Sequence, residues 1–168
     1  MKHYDIIIIG SGIAGISLGS IISKERKVAI IEKEKQLSYH STGRSFAFFI
    51  ESYGNNAIIE LTKISKKFFY DNFNLFLKKK GVMFIGNNKQ KTIVEDFYNE
   101  HKRKVKLELF SKNETIKLAN CLNEDYVNNS VIDINASEID VNNLYEYYRK
   151  LYNKNDGFIF TDFNINLV

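Results

Sequence analysis

A glycine motif between two short apolar runs restricts the fold of this chain more than any other feature. The run IIII at residues 6–9 leads directly into GSGIAG at residues 10–15, and a second run, VAII, occupies residues 28–31. Short β-branched runs of this kind predict strands that are buried on both faces. A helix-compatible segment from about Ile13 to Lys24 separates them. This order of strand, glycine turn, helix and strand predicts a parallel βαβ unit that binds a dinucleotide.

Each glycine of the motif has its own physical role. Gly10 allows the tight turn out of the first strand, Gly12 lets a pyrophosphate approach the backbone, and Gly15 lets the helix pack close to the sheet. The first amides of the helix, those of Ile13 and Ala14, have no partners within the helix and face the phosphates. The motif therefore predicts a phosphate-binding turn at the start of this helix.

An acidic residue follows the second strand of the unit. The carboxylate of Glu32 can accept hydrogen bonds from the hydroxyls of an adenosine ribose, and it disfavours the 2′-phosphate of NADP. We place Lys33, the next residue, in the same predicted cofactor site. The alternative is a glycine-rich turn with an unrelated surface glutamate, but both strands, the helix and Glu32 occur together and favour dinucleotide binding.

The composition excludes several other classes of protein. The chain has 168 residues, 44% hydrophobic content, 26% charged content and a net charge of +4, which suits one globular domain with part of another. No apolar run can span a bilayer, the amino terminus does not have the pattern of a signal peptide, and one cysteine makes no disulfide framework. Acidic residues interrupt the lysine clusters at 78–80 and 101–104, so we expect no nucleic-acid partner, and we expect a cytoplasmic protein.

A second informative segment, HSTGRS, occupies residues 40–45 and precedes an apolar segment at residues 46–50 that has a helix-like pattern. Its hydroxyls and backbone amides could hold a phosphate or the edge of an isoalloxazine ring, and Arg44 could neutralise a phosphate or pair with a carboxylate. The alternative is a helix N-cap formed by Ser41 or Thr42, with Arg44 on the surface. The residues alone leave both readings open.

Residues 4–70 resemble the amino-terminal part of the FAD-dependent oxidoreductases of the D-amino-acid oxidase superfamily, which includes glycine and sarcosine oxidases and D-amino-acid dehydrogenases. The segments that carry the resemblance are YDIIIIGSGIAGIS, VAIIEKE and SYHSTGRSFAFFIESYGNNAIIELTKISKKFF. HSTGRS followed by Tyr53-Gly54 most resembles the D-arginine dehydrogenase-like branch. Beyond residue 70 the resemblance is weaker but collinear to the end of the chain.

The resemblance implies FAD as the cofactor and a small amino acid or amine as the substrate. It implies that Tyr53 faces the substrate and that a backbone amide near Ile165 or Leu167 meets the adenine. His40 joins this predicted site, with a structural hydrogen bond in the loop as its alternative role. In the D-arginine dehydrogenase-like branch the segment around it lies along the flavin, and the implied FAD contacts there are Ser41, Thr42, Gly43, Arg44 and Ser45.

Two positions depart from the D-arginine-specific members. A histidine of those members is replaced by Phe48, and the acidic residue that holds the guanidinium is absent near Val82. A basic substrate would lose its carboxylate partner, so the sequence favours an apolar or smaller amino acid.

We predict an α/β fold, in which a Rossmann-like FAD-binding βαβ domain carries an inserted α+β part of a substrate domain and is truncated. The predicted division is 1–75 for the first part of the FAD-binding domain, 76–140 for part of the substrate or cap region, and 141–168 for the return to the FAD-binding domain. Further predicted elements are a helix over 55–76, a strand over 81–86, a helix over 91–104, a capping box at Ser111 and Glu114 opening a helix through Ala119, a strand over 131–134, a helix over 141–152 capped by Asp140, and strands over 158–160 and 165–168.

Members of this family are longer, and the apolar end of this chain predicts an amino-terminal fragment that a complementing carboxy-terminal half completes. Three functions remain open: an FAD-dependent oxidoreductase that oxidises a C–N bond and is inactive as this fragment alone, a non-catalytic or degenerate dinucleotide-binding module, and a minimal NAD-binding Rossmann domain. The HSTGRS segment argues against the last. The sequence assigns no catalytic residue and no metal site, and His3 and His101 are expected at the surface.

Overall fold

The computed structural model describes residues 3–165, which form two compact units, Met1–Ala47 with Asp140–Val168 and Phe48–Ile139. The strands in the described range are β1 (Ile6–Ile9), β2 (Val28–Ile31), β3 (Phe48–Phe49), β4 (Leu77–Lys79), β5 (Val82–Gly86), β6 (Leu107–Ser111), β7 (Asn129–Asp133), β8 (Ser137–Ile139) and β9 (Phe158–Phe160). The helices are α1 (Ile13–Ile22), α2 (Asn56–Asp71), α3 (Phe73–Phe76), α4 (Lys91–His101), α5 (Lys112–Leu118) and α6 (Val141–Lys154).

The first unit is built on a parallel sheet in the order β1-β2-β9. Ile6 pairs with Val28 at the start of β1, and Ala29 pairs with Phe158 across the other side of β2. The predicted βαβ unit is therefore present, and the predicted strand over 158–160 joins the same sheet. Parallel strands need crossover connections, which α1 supplies between β1 and β2.

The core of the first unit lies between this sheet and the helices α1 and α6. Its buried members include Ile16 of α1, Ile30 of β2 and Tyr152 of α6, each 0% exposed. The Tyr152 hydroxyl donates to the carbonyl oxygen of Val28 at 2.8 Å and accepts from the Phe158 amide at 3.1 Å. One buried side chain thus fastens α6 to two neighbouring strands.

The prediction that both apolar strands are buried on both faces is right for β2 and wrong for β1. Val28 and Ile30 are 2% and 0% exposed, whereas Ile7 and Ile9 are 58% and 71% exposed. The side chains of Ile6 and Ile8 pack against the helical core, and alternation turns the other two isoleucines to the opposite face. Within the described residues, β1 is also an edge of its sheet.

The second unit contains two antiparallel sheets, in the orders β3-β8-β4 and β5-β7-β6. Val94 of α4, Leu107 of β6 and Val131 of β7 form its buried apolar cluster. The capping box at Ser111 and Glu114 is confirmed. The Ser111 amide donates to the Glu114 carboxylate at 2.9 Å, and the Ser111 side chain accepts from the Glu114 amide. These contacts begin α5 where the sequence predicts it.

Several predicted elements of the second unit are wrong. The helix-like segment at residues 46–50 contains the strand β3 instead, because Phe48 and Phe49 pair with β8. The helix predicted over 55–76 ends at Asp71, and the Asn72 side chain then bonds the Phe68 carbonyl oxygen at 2.8 Å. Strands β4, β6 and β8 have no counterpart among the predictions, and His101, expected at the surface, is 6% exposed.

The contacts group residues 48–75 differently from the predicted division. The sequence assigned them to the FAD-binding domain, but they cluster with the second unit, since β3 pairs with β8. The other break, between Ile139 and Asp140, lies next to the predicted one. Asp140 caps α6, where its side chain accepts from the Asn143 amide, as predicted. The functional division of the chain stays a prediction.

Among the described residues, no helix is both long and apolar enough to cross a membrane.

Candidate dinucleotide-binding site

The glycine turn has the backbone geometry that its sequence requires. Gly10 has a φ of +95°, and its amide donates to the Ile31 carbonyl oxygen at 2.7 Å, which ties the turn to β2. A Cβ on Gly15 would collide with the carbonyl oxygen of Gly10. A Cβ on Gly12 would lie 3.1 Å from the Thr42 hydroxyl oxygen. A side chain at Gly12 or Gly15 would therefore crowd the turn against Thr42 or Gly10.

Glu32 lies directly beside this turn and is 8% exposed. Its Oε2 accepts from the Ser11 amide at 2.9 Å and from the Ser11 hydroxyl at 2.6 Å, and its Oε1 accepts from the Glu34 amide at 3.0 Å. Burial by itself would raise the pKa of Glu32. The hydrogen bonds from Glu34 and Ser11 outweigh burial and lower the pKa below its usual value. The carboxylate is therefore anionic at neutral pH.

A cleft of about 550 Å³ opens at the carboxyl ends of β1 and β2. Ligands bind at this end of the strands in open parallel sheets. Glu32 and Ile165 both line the cleft, and the Phe163 amide bonds the Glu32 carbonyl oxygen at 3.1 Å, which holds the terminal segment there. Leu167, the other predicted adenine contact, lies outside the described residues. The complete lining is Ile9, Gly10, Ile31, Glu32, Lys33, Phe163, Asn164 and Ile165.

The HSTGRS segment forms a series of turns and reaches the same glycine motif. The Thr42 hydroxyl oxygen accepts a hydrogen bond from the Ile13 amide at 3.0 Å. The Gly43 amide bonds the Ser38 carbonyl oxygen at 2.7 Å, and a Cβ on Gly43 would collide with that oxygen. The N-cap alternative is therefore wrong: β3, not a helix, follows this segment, although Thr42 does satisfy an amide of α1 across a long sequence separation.

The remaining predicted residues of this segment lie at its outer side. Ser41, Arg44 and Ser45 are exposed, and the Arg44 guanidinium stacks over the Tyr39 ring at 4.6 Å from its centroid. His40 Nε2 lies 2.9 Å from the carboxylate of Glu34, which corresponds to the structural hydrogen bond considered for it. Their contact with FAD stays a prediction.

Tyr53 belongs to the second unit and is 62% exposed. It precedes Gly54, whose φ is +96°, and borders a cleft of about 590 Å³ that Asp96 and His101 also line. The exposure leaves the ring accessible. Its predicted role, to face the substrate, stays a prediction.

Sequence reasoning missed two residues of this site. Ser11 occupies a position that the G-x-G-x-x-G pattern leaves unspecified. Its hydroxyl, next to the motif's first glycine, is the feature of the sequence that could have indicated a polar contact. Phe163 lines the cleft from a segment whose local sequence contains no motif. In the described part of the chain, no three His, Cys, Asp or Glu side chains gather as metal ligands would.

The family comparison decides which dinucleotide this site suits. The family model described as "FAD dependent oxidoreductase" matches residues 5–165. The chain belongs to this family. FAD is the cofactor of its members, which agrees with the cofactor predicted from the sequence.

Solved structures share the fold of this family member at low sequence identity. The L-α-glycerophosphate oxidase of Mycoplasma pneumoniae, solved with FAD bound, superposes with a TM-score of 0.81 at 16% identity over 96% of this chain and 45% of its own. The glycine oxidase of Bacillus cereus gives 0.78 at 18% identity, over 99% and 49%. The L-proline dehydrogenase of P. horikoshii gives 0.78 at 16% identity, over 98% and 46%.

The chain spans about half the length of these structures. Among curated proteins, an uncharacterised protein of Methanocaldococcus jannaschii is 39% identical over 59 residues, which are 34% of this chain and 16% of that protein. The solved structures support the predicted α/β fold over about half of their own length.

The residues of the first unit fit the ADP portion of FAD. An anionic carboxylate lies beside a glycine turn, in which Gly10, Gly12 and Gly15 carry no side chain, and an open cleft adjoins both. The first amides of a helix favour a pyrophosphate, and the carboxylate favours a ribose hydroxyl.

Proposed function

We propose that this chain is the FAD-holding part of an oxidoreductase that oxidises the C–N bond of a small amino acid or amine, of the D-amino-acid oxidase or dehydrogenase type. The observation that carries the proposal is the convergence of Gly12, Ile13, Glu32 and Thr42 at one turn, in a chain of the FAD-dependent family. Family membership supports FAD, and the shared position of these groups supports its ADP end.

The chain's own residues would bind and orient the cofactor. The Ala14 amide would hold the pyrophosphate, together with the Ile13 amide if the phosphate replaces its bond to Thr42. Glu32 would hold the adenosine ribose, and the terminal segment at Ile165 the adenine. Residues 40–45 and Lys33 would complete the contacts along the FAD. FAD held by these residues would supply the hydride acceptor for the α-carbon of the amine. Water would hydrolyse the imine product to a carbonyl group and an amine, which is ammonia when the substrate is a primary amine.

The substrate class rests on neighbours and on two departures in the sequence. Glycine oxidase, L-proline dehydrogenase and the amino acid oxidase NikD are among the structures that share the fold. The chain has Phe48 where the D-arginine-specific members have a histidine, and near Val82 it lacks the acidic residue that would hold a guanidinium. An apolar or small amino acid is therefore the substrate that we propose, with Tyr53 facing it.

We further propose that turnover requires a polypeptide equivalent to the part of the relatives that this chain does not cover. The amides of Ile6 and Gly10 donate toward β2, so alternation turns those of Ile7 and Ile9 to the outer edge of β1. Edge strands normally carry charged residues or proline, but this one is a run of isoleucine. Such an edge suits a parallel strand from a complementing half.

The test is to add FAD to the purified chain, desalt it, and record its flavin absorbance, with NAD in a parallel titration. Retained flavin, lost in Gly12→Val, is the expected result. The loaded chain is then mixed with glycine, proline and D-alanine and a dye electron acceptor. We expect no turnover by the chain alone, and turnover would overturn the need for a complementing half.

A folded chain that retains no flavin would overturn FAD binding. Preferential binding of NAD would favour the minimal Rossmann alternative instead. If a chain completed by its other half bound FAD but oxidised none of these compounds, the non-catalytic binding module would be the better description.

A further inference from the structure

We propose that Ser11 is the positioning residue that aims the Glu32 carboxylate at the adenosine ribose. The G-x-G-x-x-G pattern does not specify this position, and no requirement of the turn itself calls for a hydroxyl there. The inference rests on the proposed function, because it takes FAD as the ligand of this turn. In this inference Ser11 does not contact the ligand itself but acts on it through Glu32.

The geometry shows an unusually complete contact between the two residues. The amide and the hydroxyl of Ser11 both donate to the same oxygen of Glu32, at 2.9 Å and 2.6 Å. Ser11 is 0% exposed and Glu32 is 8% exposed, so water does not compete freely for either group. A serine hydroxyl has one proton to donate, and here the carboxylate receives it.

The hydrogen bonds to Glu32 fix the orientation of its carboxylate. An ionised carboxylate offers about four acceptor positions, two on each oxygen. Ser11 fills both positions of Oε2, and the Glu34 amide fills one position of Oε1. The Lys33 amide also donates to this carboxylate. With Oε2 held by Ser11, Oε1 is the oxygen that is left to accept a hydroxyl of the ligand, and the carboxylate is held in one orientation.

Other titratable groups surround this contact and must be considered in any pH experiment. Lys33 and Glu34 follow Glu32 in the chain, and His40 is paired with Glu34. From α6, Tyr145 lies against Ser11; burial raises the pKa of Tyr145, the Ser11 hydroxyl lowers it, and the charge of Glu32 raises it. These groups are present in all the variants below, so differences between variants reflect Ser11 and its contacts with Glu32 and Tyr145.

The decisive experiment is the FAD affinity of Ser11→Ala, measured by flavin fluorescence anisotropy from about pH 8 down to about pH 4, around the usual pKa of glutamate. Ser11 acts on the ligand only through Glu32, so binding loses part of the free energy of a hydrogen bond to a charged group, and we expect it to be roughly five- to tenfold weaker at neutral pH. Because that bond helps to keep the carboxylate ionised, its loss also raises the pKa of Glu32. The decline of affinity on acidification should therefore begin at a higher pH in Ser11→Ala than in the wild type.

The matched control is Ser17→Ala. Ser17 lies in α1, the helix that follows the turn, and its hydroxyl donates to the Ala14 carbonyl oxygen at 3.1 Å, on the exposed side. Its affinity and pH profile should equal those of the wild type. Glu32→Gln should bind weakly at neutral pH and should lose the acid-dependent decline. If circular dichroism shows that Ser11→Ala does not fold, Ser11→Cys is measured in its place. That variant keeps a side chain of similar size but has a weaker hydrogen-bond donor.

Each outcome has a distinct meaning. Wild-type chain that is folded but does not bind FAD would overturn the proposed function and this inference with it. Wild-type binding with an unchanged affinity in Ser11→Ala would overturn the inference alone. An equal loss of affinity at every pH would also overturn it, because a merely structural defect does not move the titration of Glu32. Only a shifted pH profile supports positioning.

Discussion

The Thr42 hydroxyl oxygen accepts a hydrogen bond from the Ile13 amide, 29 positions earlier in the chain, at 3.0 Å. The contact joins the HSTGRS segment to the first turn of α1, where a helix has amides without internal partners. Two stretches that the sequence singled out separately therefore meet at one point. Thr42 also limits the space beside Gly12, because a Cβ added to Gly12 would lie 3.1 Å from the Thr42 hydroxyl oxygen.

Replacing this hydroxyl should loosen the turn. Thr42→Val keeps the shape but removes the acceptor, so we expect the Ile13 amide to exchange hydrogen faster and the free energy of unfolding to fall by about 1 kcal/mol. Amide exchange followed by NMR and urea denaturation measure the two effects. Thr62→Val is the control, because the Thr62 hydroxyl donates to the Ile58 carbonyl oxygen on an exposed helix. Equal exchange of Ile13 in both variants would contradict the prediction.

Two buried tyrosines of α6 provide a matched pair. The Tyr152 hydroxyl bonds Val28 and Phe158. The buried Tyr145 hydroxyl lies near Ser11 but makes no hydrogen bond of good geometry among the described residues. Tyr152→Phe should lower the free energy of unfolding by about 1–3 kcal/mol, since it leaves buried backbone groups unpaired. Tyr145→Phe should be neutral or slightly stabilising. Urea denaturation of both variants measures the difference, and equal destabilisation would argue against the contacts of Tyr152.

The stability of the first unit should depend on pH through Glu32. Its pKa is lowered in the folded chain, so its contribution is complete above the usual glutamate pKa of about 4.3 and is lost as the pH falls through the lower, folded-state value. Glu32→Gln should therefore reduce stability at pH 7 and flatten this part of the acid transition. Thermal melts between about pH 3 and pH 7 test it. Glu60→Gln, on an exposed helix of the other unit, is the control and should leave the transition as it is.

Neighbouring isoleucines of β1 should respond differently to the same change. Ile9 is 71% exposed and Ile8 packs on the core, so Ile9→Thr should change the free energy of unfolding by less than about 0.5 kcal/mol, and Ile8→Thr should destabilise by about 1 kcal/mol or more. Chemical denaturation of the chain alone gives both values. A large loss in Ile9→Thr would mean that the outer face of β1 is already covered in solution.

The elements that sequence reasoning predicted correctly are those with local signals. The glycine turn, the α5 capping box and the Asp140 cap each depend on residues only a few positions apart. Strand β3 was missed because the pattern of Phe48 and Phe49 suits a helix locally, and only pairing with β8 makes them a strand. Pairing with a distant strand overrides the local preference, because the hydrogen bonds and packing that it supplies depend on residues outside the local sequence.

The sequence by itself determined the parallel βαβ unit, its glycine turn and the acid at the end of β2, because glycine geometry and apolar periodicity act over short distances. Only the tertiary structure decided that Ser11 holds Glu32, that Thr42 meets Ile13 and that Ile165 borders the same cleft. It also decided that Ile7 and Ile9 stay exposed, although their run resembles a strand buried on both faces. Burial and hydrogen bonding between distant segments depend on which surfaces come together, and one stretch of sequence contains only one of the two surfaces.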